Sequence, residues 1–175
     1  GLGVGLPKAV FSDGGRFGYE DDGETPNTQH AIFEYDEGVL QFEVRGLPTT
    51  DEQTVKVGNI FYGATGYMVV RGGKWQTFMG ANSEPGTSGP TPEARGTDHF
   101  LNFVEAVKER KPELLNAPVE EGHLSSALCH LANVAYRAGR KLHFDPKAEK
   151  FVGDKEVDTL LTREYRSPFV VPDKV

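Results

Sequence analysis

Apolar positions along this chain change period near residue 80: before it they recur every second residue, after it every three to four. Residues 28–35 alternate, with Ala31, Phe33 and Tyr35 on one side and His30, Ile32 and Glu34 on the other. Asp36-Glu37-Gly38 reads as a turn with glycine where φ must be positive. Leu40, Phe42 and Val44 then form one face of a return strand, and Gln41, Glu43 and Arg45 the other. The pair is an antiparallel hairpin. Residues 56–62, 67–70 and 75–79 follow, separated by Gly63-Ala64-Thr65-Gly66 and Gly72-Gly73. Short strands joined by glycine turns predict a mainly antiparallel meander between about residues 8 and 79. Residues 80–95, rich in Gly, Pro, Ser and Thr, read as a loop.

Helical spacing takes over beyond it. Thr97 is placed to cap a helix near 97–110 that carries Phe100, Phe103, Val104 and Val107 in one stripe, and Pro112 stops it. A longer helix near 119–138 opens at Pro118, has Glu120 and Glu121 in its first turn, and ends at Gly139. Leu124, Leu128, Leu131, Val134 and Ala135 belong to its apolar face. Ser125, Cys129, Ala132 and Tyr136 lie off that face yet are small or aromatic. Such a helix is either central to one domain or covered on its second side by another domain or subunit. A last short helix runs over 154–161. The pattern predicts an α+β fold: an open, mainly antiparallel (mixed) sheet with helices packed on one face. The uncovered face, with Val39, Ile32 and Trp75, predicts self-association through the sheet.

Length and charge narrow the functions. A chain of 175 residues is expected to form a single domain spanning 1–175. Its net charge of -7 excludes nucleic acid and anionic membranes as natural partners, since both require a basic face. No apolar run approaches the roughly 18 residues of a membrane span. Cys129 is the only cysteine, so no internal disulfide can form. The cytoplasm is the default expectation for its compartment, with export depending on any upstream signal.

Most candidate chemistry dissolves on inspection. Gly1-Leu2-Gly3-Val4-Gly5 looks like a dinucleotide loop, but its third glycine comes one residue early and Pro7 leads into a strand, not a helix. Cys129 and His130 are adjacent on a helix and point about 100° apart, which suits packing better than a nucleophile and its base. His123 and His130 share a face about 10 Å apart, too far for one metal ion, and read as a polar border. The acidic run Glu20-Asp21-Asp22-Gly23-Glu24 lacks the alternating ligands of a calcium loop. No catalytic, cofactor-binding or metal-ligating residue is therefore assigned.

Three residues remain as substrate-binding candidates. Arg45 ends a strand beside Gly46-Leu47-Pro48, where its several donors can reach a polyol or carboxylate; a surface salt bridge to Glu43 or Asp51 is the alternative. Arg16 and Tyr19, with Gln29 nearby, belong to a segment containing Gly14, Gly15 and Gly18, and read equally as pocket lining or as turn chemistry.

Longer motifs carry a resemblance. Glu120-Glu121-Gly122-His123-Leu124 through Ala138-Gly139-Arg140 leads into Lys141-Leu142-His143-Phe144-Asp145-Pro146. Leu161-Thr162-Arg163-Glu164-Tyr165-Arg166-Ser167-Pro168-Phe169 comes later, and Thr25-Pro26-Asn27-Thr28-Gln29 and Val44-Arg45-Gly46-Leu47-Pro48 earlier. Together these resemble the C-terminal domain of the glucose–fructose oxidoreductase / inositol dehydrogenase (Gfo/Idh/MocA) family, in its bacterial branch. The resemblance implies an upstream Rossmann domain that binds NAD or NADP, and a C-terminal sheet that lines the substrate pocket and mediates homo-oligomerisation. The family's catalytic lysine belongs to the first domain, and its Asp and His motif lies just before the region matched here. On that basis the chain alone is expected to hold no cofactor and to be inactive. Sugars, inositols and their derivatives are the implied substrates. A glycosidase that retains its cofactor, and a non-catalytic carbohydrate or protein interaction module, are the alternatives.

Overall fold

The computed structural model describes residues 3–91 and 98–172. Its elements run β1 (Ala9–Gly15), β2 (Thr28–Glu34), β3 (Val39–Arg45), β4 (Asn59–Tyr62), β5 (Gly66–Arg71), β6 (Lys74–Met79) and β7 (Glu84–Pro90), then α1 (His99–Glu109), α2 (Val119–Ala138), β8 (Leu142–Asp145), β9 (Lys150–Phe151) and α3 (Lys155–Asp158). The fold is α+β with antiparallel pairing throughout, as the two periods predict. The strands divide between a five-stranded sheet of order β3-β2-β1-β8-β9 and a four-stranded sheet β4-β5-β6-β7. Each sheet belongs to its own unit: residues 1–47 with 117–175 form one, and residues 48–116 the other.

In the first unit, alternation decides what is buried. Val10, Ala31, Phe33, Leu142, Phe144 and Phe151 share one face, and α2 lays Leu131, Ala132, Val134 and Ala135 against it. Burying the Val, Leu and Phe side chains contributes about 1.5–3 kcal/mol each, which fixes the helix on that face. Gly139 ends α2 in the left-handed conformation (φ 65°), its N–H bonding to the carbonyls of Ala135 and Tyr136. One polar link crosses this core. Gln29 Nε2 donates to Oγ of buried Ser12 at 2.9 Å and reaches the Ala132 carbonyl of α2 at 3.5 Å. Gln29 thus belongs to the helix-covered face, and its side chain ties sheet to helix. The opposite face carries Phe11, Asp13, His30, Ile32, Val39, Glu43 and Arg45, all exposed or half-buried. Gly38 does not adopt the positive φ expected of it; its carbonyl instead closes the hairpin by accepting from the Tyr35 N–H.

The second unit revises several expectations. Residues 84–90 form a strand, not a loop, because small residues there fit under the side chains of β6. An added Cβ at Gly89 would stand 3.1 Å from the Trp75 ring, and the Trp75 indole N–H donates to the Pro90 carbonyl. Thr77 Oγ1 likewise donates to the Thr87 carbonyl at 3.0 Å. Trp75 therefore belongs to the four-stranded sheet, and Val39 and Ile32 to the five-stranded one, so the three do not share one sheet face as expected. Thr97 is outside the described residues, and Asp98 caps α1 by accepting from the N–H groups of Phe100 and Leu101. Ala106 is the buried residue of α1, whereas Phe100, Phe103 and Val107 are exposed.

Candidate functional site

Strand register gathers the binding candidates at one end of the five-stranded sheet. Gly15 faces Thr28 across β1 and β2, and Thr28 faces Arg45 across β2 and β3, so the three form one row. Directly opposed residues point to the same side, which places Arg45 on the face away from α2. Arg16 leaves the same row at the start of the loop to β2.

Asn27 holds this end together. Its side-chain oxygen accepts from the Phe17 N–H at 3.2 Å, and its amide donates to the Phe17 carbonyl at 2.8 Å. Its backbone N–H bonds to the Gly15 carbonyl at 3.1 Å, and its carbonyl accepts from Gly46 at 2.7 Å. One asparagine thus joins the β1–β2 loop to the residue after Arg45. Sequence reasoning overlooks it, because an asparagine before a strand reads as ordinary turn chemistry. The position of Asn27 inside the Thr25–Gln29 motif is the signal that was available.

The three candidates differ in what they do there. Arg45 donates from Nε to Glu43 Oε1 at 2.7 Å and from Nη2 to Glu43 Oε2 at 2.9 Å, a two-pronged pair between neighbours on one strand face. The hydrogen bond from Arg45 acts most strongly on the Glu43 carboxyl, outweighs the opposing effect of burial and, with the charges of Arg45 and His30 adding less, holds it below the usual carboxylate range. Glu43 is therefore part of the arrangement. Arg16 turns into its own loop, donating to the Thr25 carbonyl at 2.7 Å and to Asp21. Its guanidinium lies 5.9 Å from the centre of the half-exposed Tyr19 ring. Arg16 and Tyr19 are in contact with each other and shape the loop.

Other titratable groups lie elsewhere. His123 on α2 meets Glu149 at 3.0 Å. The Asp145 carboxylate accepts from the N–H groups of Lys147 and Ala148, and those bonds hold its carboxyl below the usual range. A recess of about 310 Å³ opens at the other end of the sheet against Lys8, Tyr35, Asp36 and Pro146, and none of the three candidates lines it. Among the described residues no group of three or more His, Cys, Asp or Glu side chains is arranged to hold a metal ion. No helix among them is long and apolar enough to cross a membrane.

Comparison with known proteins settles the lineage. Residues 84–171, from β7 to the C-terminal tail, match the model of the oxidoreductase family, C-terminal alpha/beta domain (GFO_IDH_MocA_C2). The chain belongs to the Gfo/Idh/MocA oxidoreductase family. Among solved structures, a Klebsiella pneumoniae protein provisionally described as an oxidoreductase superposes with a TM-score of 0.57 at 15% identity, over 89% of this chain and 48% of its own. Another, yvaA of Bacillus subtilis, provisionally described in the same way, gives a TM-score of 0.55 at 14% identity, over 80% of this chain and 47% of its own. At such identities the likeness is one of fold. This Gfo/Idh/MocA chain spans about half the length of the solved structures it matches. Comparison with curated proteins gives no match.

Proposed function

We propose that residues 1–175 act as one C-terminal domain of a nicotinamide-dependent sugar or polyol oxidoreductase, supplying a wall of the substrate pocket and a face for self-association. The observation that carries the reading is the row Gly15–Thr28–Arg45 at one end of the first sheet. It sets a guanidinium–carboxylate pair beside a loop clamped by Asn27 and bearing the aromatic rings of Phe17 and Tyr19. Polyols present several hydroxyls, and a paired Arg45 and Glu43 offer donors and acceptors side by side.

NAD or NADP belongs, in this reading, to a partner Rossmann domain of the same protein. The described residues of this chain do not fit a dinucleotide. Pyrophosphate binds where a glycine loop opens a helix and the positive helix end is unopposed. Here the segment from Gly3 leads into β1. Asp98 already caps α1, and Glu120 and Glu121 fill the first turn of α2, so both long helices open on carboxylates. Hydride transfer needs that cofactor and a base from elsewhere in the protein.

The test is Arg45→Ala in the intact oxidoreductase. A charge-assisted hydrogen bond is worth about 1.5–3 kcal/mol, so kcat/KM for the sugar should fall about ten-fold or more. Unchanged kinetics in a correctly folded variant would remove Arg45 from the pocket.

A further inference from the structure

An isolated strand-end arginine would favour carboxylated or phosphorylated ligands, because its fork matches their oxygens. Arg45 is not isolated. Glu43 takes both prongs of the fork at 2.7 and 2.9 Å and is held in its ionised form by that contact. Arg16 is likewise matched by Asp21. The loop between them adds exposed Glu20, Asp22 and Glu24. On the neighbouring strands Asp13, His30 and Glu43 stand in one register row on the same face. Each guanidinium at this end of the sheet therefore brings its own carboxylate. An anionic ligand approaching Arg45 must displace the Glu43 carboxylate or remain against it.

An uncharged hydroxyl meets no such conflict. A carboxylate accepts only, and each of its oxygens has a lone pair beyond the one given to Arg45. A ligand hydroxyl can donate to it without breaking the pair. We infer that Glu43 is a specificity-determining residue: it fits this wall of the substrate pocket to neutral, hydroxyl-rich ligands and turns their phosphorylated or carboxylated counterparts away. The inference rests on the pocket reading above, and it assigns the selection to Glu43 and not to Arg45.

The experiment compares glucose with glucose 6-phosphate, two probes that differ by an anionic group, on the ¹⁵N-labelled chain and on its Glu43→Gln variant. The Arg45 Nε–H and the Gly46 amide report the site. Glucose should move both signals, and glucose 6-phosphate should bind at least about ten-fold more weakly, as like-charge juxtaposition requires. In Glu43→Gln the ratio of the two affinities should shift about ten-fold towards the phosphate while far-UV circular dichroism stays the same. Tighter binding of the phosphate by the unaltered chain, or an affinity ratio that Glu43→Gln leaves unmoved, would overturn the role of Glu43 while leaving the pocket in place. If the variant does not fold, the ratio in the unaltered chain decides. Signals that respond to neither sugar would remove the pocket reading and this inference with it.

Discussion

At the scale of single residues, close contacts matter more than charge. Gly46 donates its N–H to the Asn27 carbonyl, and a Cβ added at Gly46 would lie 2.5 Å from that same oxygen. No side chain fits without opening the clamp between the β1–β2 loop and the end of β3. Gly46→Ala should therefore destabilise the chain by about 1–3 kcal/mol, the usual cost of overpacking, and a denaturant titration that leaves the midpoint in place would refute the clamp. Little of this was legible beforehand. Arg45 stood out because its strand ends at glycine and proline, and the pairing with Glu43 was open from their spacing of two residues. Asn27 offered only its place in the Thr25–Gln29 motif. Its hydrogen bonds to Gly15, Phe17 and Gly46 depend on the register of three strands, which no local pattern encodes. Asp145 is the local counterpart, accepting from residues two and three places on in the β8–β9 turn. Hydrogen bonds from Ala148 and Lys147 lower its pKa, so its stabilising contribution is present above the ordinary Asp value and lost as pH falls through the lowered one. Asp145→Asn should flatten the acid limb of the stability curve below about pH 4, the region of an ordinary Asp carboxyl.

At the scale of elements, periodicity was a good guide wherever one face meets a core. The alternation of β2 and the stripe of α2 both correspond to buried positions in one core, whereas on the edge strand β3 Leu40 is partly buried and Phe42 and Val44 stay exposed. Composition misled where packing overrides it. Residues 84–90 carry three glycine or serine positions flanked by prolines, the look of a loop, yet they pair with β6 because Trp75 and Thr77 need small neighbours. The two helices offer a direct comparison, since both carry regular apolar stripes. Leu131 of α2 is 2% exposed, whereas Phe103 of α1 is 59% exposed. In the isolated chain Leu131→Ala should cost about 2–5 kcal/mol through lost burial and the cavity left behind. Phe103→Ala should stay within about 0.5 kcal/mol, as surface substitutions do. Equal losses for the two, read from thermal or denaturant midpoints, would contradict the burial difference.

At the scale of the whole molecule, the proposed self-association has a physical motive in the face of the first sheet that α2 does not cover. Val39 on the edge strand β3 is 55% exposed, and Phe11 and Ile32 lie half-buried in one register row across β1 and β2. A charged pair borders this apolar centre, Glu34 bonded to Lys141 at 2.7 Å. An apolar centre with paired charges at its border is the composition of a protein interface, in which burial drives association and the rim sets register. A two-fold arrangement would let one such face meet its copy, each residue answered by its counterpart. Sedimentation of the chain at tens of micromolar should then show a species larger than the monomer. Ile32→Glu places a charge at the centre of the row and should shift the population to monomer, because a carboxylate buried there without a partner costs several kcal/mol. The same substitution leaves the α2-covered face untouched, so circular dichroism should not change. Val57→Glu serves as the control: Val57 is 84% exposed and lies outside this sheet, so its substitution should leave the larger species intact. A chain that sediments as a monomer without any substitution, or an Ile32→Glu variant that still associates, would remove the sheet face as the contact.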